Sequence, residues 1–310
     1  KEEIISVDLL GTVATEQPKY AILPDGTQVD LPAATDHRQV FADWLIRPDN
    51  PWFTGNIVNR IWYWLLGIGV VHEPDDIHHD NPPTNRELLV VLQRELVESD
   101  FDLKHVYRLI LNSAAYQQSC IPSTDNPEAE AHFAHYPIRR LDAEVLIDAV
   151  CQITGTTESY SSLIPEPWTF IPGSERSICL ADGSITSPFL ELFGRPARST
   201  GYESERGNMP SAAQKLHLLN SSHIQQKLEA GVAAIPTRET RRRGRGRSTQ
   251  PAVPNESVTD LYLRVLSRYP ADSELAAISV YLSSAEVQGP EGLIDLTWAL
   301  INTPEFLYRH

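Results

Sequence analysis

Three stretches of the chain concentrate residue types that bind metals, move protons or grip polar ligands. The first is His72-Glu73-Pro74-Asp75-Asp76-Ile77-His78-His79-Asp80. Imidazole nitrogens and carboxylate oxygens are common ligands of divalent metals, so His72, Asp75 and Asp76 are candidate metal ligands. The spacing is not that of a helical two-histidine motif with its glutamate. The same residues also fit a solvated loop whose side chains cap the backbone before a helix starting at 84.

The second stretch runs through Glu191, Arg195, Arg198, Glu203, Glu205, Arg206 and Asn208 to a helix bearing His217, Asn220 and His223. Dense polar residues in a loop beside a helix are how many sites are built. Here His217 is a candidate general acid or base, and Glu203 or Glu205 would orient it. Arg206 and Asn220 are candidate substrate-binding groups. The alternative is a histidine packed in its helix beside a solvated charge network.

Third, Asn56, Asn59 and Arg60 adjoin Trp62, Tyr63 and Trp64. Aromatic rings beside amide and guanidinium groups can hold a sugar, which makes Asn59, Arg60 and Trp62 candidate carbohydrate contacts. Packing explains the same residues, because Trp and Tyr anchor cores while their polar tips find partners. In that reading Arg60 forms a buried ion pair with Asp75 or Asp76.

Nucleophilic chemistry has little support. There is no Gly-x-Ser-x-Gly elbow, and Cys120, Cys151 and Cys179 have neither metal spacing nor a basic sequence neighbour. At most one disulfide can form among them, so cysteine usage leaves the compartment open. Gly244 and Gly246 lie inside the run Arg241-Arg-Arg-Gly-Arg-Gly-Arg247, not in a phosphate loop. That run fits a flexible linker, or a grip on an anionic polymer.

These residues need a scaffold. A formal charge of -15 over 310 residues argues against nucleic acid as the main partner. No apolar run approaches the roughly 20 residues of a membrane span. Lys19 to Leu31 reads as a β-hairpin around Pro24-Asp25-Gly26-Thr27. From Asp36 the apolar period becomes helical. Val40, Phe41, Trp44 and Leu45 form one face, and Ile57, Ile61, Trp64 and Leu65 another, stopped by Gly67. Thr84 and Glu87 predict a capping box for a helix to about Ser99. Helices follow at 103–115, at 142–154 behind Asp142, and at 212–228 with an interruption at Asn220-Ser221. Further helices are expected at 257–268, 272–284 and 290–302. The predicted fold is mainly α, an irregular multi-helix assembly with a small N-terminal β-hairpin. The expected division is 1–35 hairpin segment, 36–231 main domain with a long irregular loop at 155–209, 232–256 linker, and 257–310 subdomain packing on the main domain. The only methionine is Met209, so the chain is expected to continue upstream of Lys1.

Several runs carry a family resemblance. They are Phe41-Ala-Asp-Trp44-Leu45, Asn50-Pro-Trp-Phe53, Asn59-Arg60-Ile-Trp62 and Gly67-Ile-Gly-Val-Val-His72-Glu-Pro-Asp75-Asp76. Arg140-Leu-Asp142-Ala-Glu144, Pro188-Phe-Leu-Glu-Leu-Phe193-Gly194, Ala213-Gln-Lys-Leu-His217-Leu-Leu-Asn220 and Trp298-Ala-Leu-Ile-Asn302-Thr-Pro-Glu305-Phe306 continue the pattern. Over roughly 36–310 the chain resembles the planctomycete-specific domain of unknown function found in large secreted proteins with cytochrome-c-like modules. The resemblance implies an extracytoplasmic location and upstream modules able to carry haem c. It supplies no catalytic residue, and the haem-attachment signature is absent from this chain. Two roles follow as expectations. One is a helical accessory or binding module linked to polysaccharide use; the other is a hydrolytic or redox-coupled enzyme domain acting on carbohydrate through residues 56–80 and 191–223.

Overall fold

The computed structural model describes residues 20–31, 36–123, 125–126, 129–197, 201–207, 209–233, 255–284 and 291–309. The fold is mainly α-helical, with the small hairpin at its start. The chain divides into two compact units, 1–117 and 118–310. The expected main domain, 36–231, therefore spans a boundary, and 257–310 shares a unit with the helices from 143 onward. The reason is visible in which faces each helix buries.

In the first unit, β1 (Tyr20–Ile22) pairs antiparallel with β2 (Gln28–Asp30). Gly26 supplies the left-handed turn residue, with φ of 82°, and Asp25 accepts from Thr27 N at 2.8 Å. α1 (His37–Leu45) is capped by Asp36. α2 (Pro51–Leu66) begins on Asn50, whose side chain accepts from Trp52 N and Phe53 N, and ends on left-handed Gly67. Its buried face is Val58, Ile61, Trp62 and Leu66; of the expected Ile57, Ile61, Trp64 and Leu65 only Ile61 is fully buried, and Trp64 is exposed. α3 (Arg86–Glu98) is capped by Asn85, not Thr84. The Thr84 hydroxyl instead donates to Val70 O at 3.0 Å, tying down the preceding loop. α4 (Leu103–Leu111) stops short of Ala115, where Ser113 and Asn112 side chains donate to the Ile110 and Arg108 carbonyls. Leu89, Leu92 and Leu96 of α3, with Val106 and Ile110 of α4, complete this core against α2.

In the second unit, β3 (Arg139–Arg140) leads into α5 (Ala143–Thr154). Asp142 occupies the expected cap position but makes no cap bond, because its carboxylate accepts from Arg309 at 3.1 Å. α6 (Pro188–Leu192), α7 (Ala212–Asn220), α8 (Ser222–Ala233), α9 (Asn255–Leu266), α10 (Asp272–Leu282), α11 (Glu291–Ile301) and α12 (Pro304–Leu307) follow. β4 (Tyr308–Arg309) then pairs with β3. Leu146, Ile147 and Val150 of α5 are buried among Phe189 and Leu190 of α6, Ile224 and Leu228 of α8, Leu261 and Val265 of α9, and Leu296 and Leu300 of α11. Burying side chains of this size stabilises by roughly 1.5–3 kcal/mol each. So α9 and α11 belong to the core that α5 organises.

The long segment after α5 is irregular, as its composition predicts, yet it is anchored. Asp148, within α5, accepts from Ser177 N at 2.7 Å and Ile178 N at 3.1 Å. Ser161 and Thr186 form an isolated bridge. The proposed linker is helical at both ends, since α8 reaches Ala233 and α9 starts at Asn255; Arg241 to Arg247 lie outside the described residues. Among the described residues no helix is long and apolar enough to cross a membrane.

Candidate functional site

The helical period of 212–233 breaks at Ser221, whose ψ of 139° is extended. That break brings the last turn of α7 beside the first turn of α8. His217 and His223 meet across it, with Nε2 of the first 3.3 Å from Nδ1 of the second. His223 Nε2 lies 3.0 Å from Glu158 Oε2, on the loop released by left-handed Gly155 at the end of α5. One turn along α8, Lys227 Nζ sits 3.1 Å from the same carboxylate oxygen, donates to Thr157 O at 2.7 Å, and lies 3.4 Å from Cys151 Sγ. Glu158 and Lys227 are both buried. Around them is a cleft of about 470 Å³, lined also by Thr156, Ser159, Phe189 and Gln226.

An ionised carboxylate only accepts hydrogen bonds, so the nitrogen of His223 that faces Glu158 carries a hydrogen. Nε2 of His223 donates toward Glu158, and the direction of the bond between His223 Nδ1 and His217 Nε2 follows the protonation of the pair. Burial opposes charge on Glu158, but the His223 hydrogen bond and the neighbouring His223 and Lys227 charges outweigh it and hold the carboxyl below the usual range. Burial pushes the His217 imidazole below its ordinary value, and repulsion from His223 adds to this. The ring edges of His217 face Phe189 and Phe193, with centroids at 5.7 and 6.1 Å. Burial likewise raises the Cys151 thiol, against the pull of Lys227.

His217 is thus oriented by His223, not by Glu203 or Glu205. Those two residues flank a short 3-10 turn, Glu203–Glu205, that delivers Arg206 to another partner. Arg206 donates to both oxygens of buried Glu144, at 2.8 and 3.2 Å, and Arg195 Nε lies 3.6 Å from the same carboxylate. Arg206 therefore spends its charge inside the protein. Asn220 is exposed and lines a smaller cavity of about 230 Å³ with Ser221, Ser222 and Trp298.

In the first unit, Arg60 Nε donates to Asp75 Oδ1 at 2.6 Å, the ion pair offered as the packing alternative. Asp76 turns to His78 at 3.2 Å, and His72 is exposed. Among the described residues no group of three or more His, Cys, Asp or Glu side chains gathers as a metal cage. Asn59 is fully buried: it accepts from Val71 N at 2.9 Å and donates to Val71 O and Pro74 O. Trp62 is buried too. Neither presents a face for sugar; Asn59 holds the 67–76 loop onto α2. Asn59→Ala leaves the Val71 N–H and two carbonyls without these partners, a loss of about 1–3 kcal/mol by chemical denaturation. A change below about 0.5 kcal/mol, the level of an ordinary surface substitution, would reject that role.

The model of the family described as PSD1, protein of unknown function (DUF1553), matches residues 37–282. The chain belongs to this family. No curated protein and no solved structure matches it. The DUF1553 match runs from the first residue of α1 to the end of α10 and includes every residue of the cleft. Sequence reasoning missed Glu158 and Lys227 within this DUF1553 region. Lys227 was signalled by its place four residues after His223, on one helical face. Glu158 had no periodic signal, because it stands in a loop whose course is set by the packing of α5 and α8.

Proposed function

We propose that this DUF1553 chain carries an acid–base site in the cleft between the 156–159 loop and α7–α8. His217 is its proton-exchanging group, and His223 and Glu158 orient it. The single observation that carries the reading is the Glu158–His223–His217 hydrogen-bond chain ending on a histidine that borders the cleft. Lys227 and Glu158 neutralise each other, so the cleft favours an uncharged polar ligand. The hydroxyls of Thr156, Thr157 and Ser159 and the amide of Gln226 suit sugar hydroxyls, which supports carbohydrate as the substrate class. On the resemblance drawn from the sequence, the proposal extends to an extracytoplasmic setting and a role in polysaccharide use.

The test has two parts. By nuclear magnetic resonance, His217 is expected to titrate below its ordinary value of 6.5, in surroundings that include His223, Glu158, Lys227 and Cys151. The sign follows from linkage: between the folded and unfolded values the unfolded chain holds more protons. The contribution to stability is therefore full above 6.5 and is lost as pH falls through the folded value. On a panel of neutral glycosides and sugar esters, His217→Gln is expected to lose about 10²–10⁴-fold in turnover. Equal turnover by both proteins removes the acid–base role. Binding without turnover by the unaltered protein favours the accessory, ligand-holding reading instead.

A further inference from the structure

We infer that His217 and His223 form an acid-sensitive latch across the α7–α8 break, closed while their facing nitrogens share one hydrogen and released when each carries its own. The inference rests on the acid–base reading for its consequence, since it describes how that same site is regulated.

His217 Nε2 and His223 Nδ1 stand 3.3 Å apart, and the ring centres 5.6 Å apart. The two nitrogens therefore lie close to the line between the ring centres, and the rings meet end to end. A hydrogen bond at that place needs hydrogen on one nitrogen and a lone pair on the other. An uncharged pair meets this condition. So does a pair with one added proton, because only the direction of the bond changes. A pair with two added protons cannot, since each imidazolium carries hydrogen on both nitrogens. Two N–H groups and two positive charges would then face each other across 3.3 Å, and the contact must break.

Which ring moves follows from their other attachments. His223 is tied through Nε2 to Glu158 at 3.0 Å, and a positive charge on the ring strengthens that bond. Glu158 is fixed in turn by Lys227 at 3.1 Å, which also donates to Thr157 O. His217 makes no second side-chain hydrogen bond with the described residues, and is otherwise packed against the rings of Phe189 and Phe193. His217 is thus the ring that leaves.

The charges around the pair oppose the second proton. Glu158 comes from the loop after α5, Lys227 from α8 and the Cys151 thiol from α5, while the α6 side contributes Phe189 and Phe193. Lys227 already offsets the charge of Glu158, so two imidazolium charges would stand unbalanced in the cleft. Burial and repulsion from His223 both act against charge on His217, which places its release on the acid side. Once released, His217 swings away from the cleft wall, and its proton-exchanging nitrogen leaves the place that His223 sets. Acid therefore switches the site off by displacing this group as well as by protonating it.

The experiment follows the full chain by nuclear magnetic resonance from pH 8 to pH 4. It reads the ring signals of both histidines and the through-space contact between the His217 and Phe193 rings. The pair is expected to take up its protons in two separate steps, with the His217–Phe193 contact kept through the first and lost in the second. His223→Gln offers a neutral carbonyl that accepts from a charged His217, so there the contact is expected to persist to lower pH. Loss of the contact at the same pH in both proteins overturns the inference. So does a contact that survives both steps, or unfolding before a second step. The wild-type series decides the matter even if the variant folds poorly. Turnover plays no part in the measurement, so the latch and the acid–base role can fail separately.

Discussion

Glu144→Gln is expected to destabilise the second unit by about 3–5 kcal/mol, the cost of breaking a buried ion pair by removing one partner. Glu144 begins the first turn of α5 and is 1% exposed, beside Arg195 at 1% and Arg206 at 17%. The substitution preserves shape but removes the buried carboxylate charge that faces two guanidinium groups. Burial opposes ionisation of Glu144, yet the hydrogen bond and charge of Arg206 overcome it, so its folded value lies below the ordinary 4.5. The stabilising contribution is therefore present above 4.5 and disappears as pH falls through the folded value. Urea unfolding at pH 7 and pH 4 measures both effects. The variant should lose more at pH 7 than at pH 4; a loss under about 1 kcal/mol at pH 7, as for exposed pairs, would sink the argument.

Gly194→Ala is expected to cost about 2–5 kcal/mol, adding backbone strain to overpacking. Gly194 has a φ of 87°, where any side chain is strained, and a Cβ there would collide with the backbone of Gly207. The two glycines approach so closely because Gly207 N donates to Gly194 O at 3.0 Å. Arg140 braces the same place, donating to Phe193 O at 2.8 Å and Gly207 O at 3.4 Å with its guanidinium over the Phe193 ring. Since Phe193 also borders His217, the variant should disturb the His217 resonance. Gly207→Ala is the control, because its Cβ would meet only Gly194 Cα, at 3.4 Å. Equal stability of the two variants would refute the account.

Local signals in this chain read well. Pro24 to Thr27 turn as their types require, Gly67 stops α2, and Asn220-Ser221 interrupts a helix. Each depends on a few neighbouring residues and backbone preference alone. Where tertiary partners compete, the sequence misleads. Thr84 has the chemistry of a cap, but Val70 O claims its hydroxyl and Asn85 takes the role. Asp142 stands in a cap position, yet Arg309 holds it. The inward face of α2 differs from the expected one because α3 and α4, distant in sequence, decide which side is covered.

The candidate site shows the same division. His217 is legible as a titratable group on a helix end, and His223 as its neighbour. Their meeting depends on the angle at Ser221, which no spacing rule encodes. Glu203 and Glu205 are near His217 in sequence, but the 3-10 turn at 203–205 turns the chain so that Arg206 reaches Glu144. The carboxylate that matters comes from 59 residues upstream, on a loop placed by α5.

The pairing of Arg139–Arg140 with Tyr308–Arg309 has a consequence for synthesis. It joins positions 170 and 168 residues apart, after which α5 is held at its start by Leu141 and Asp142 contacts to residues 307 and 309. A ribosome that has reached only residue 282 has translated the whole region of family similarity but not α11, α12 or β4. Until those arrive, α5 lacks the cover of Leu296 and Leu300, and its apolar face stays open to chaperones or to other nascent chains. Contacts this remote in sequence make folding slow, so maturation of this unit is governed by its last-made segment.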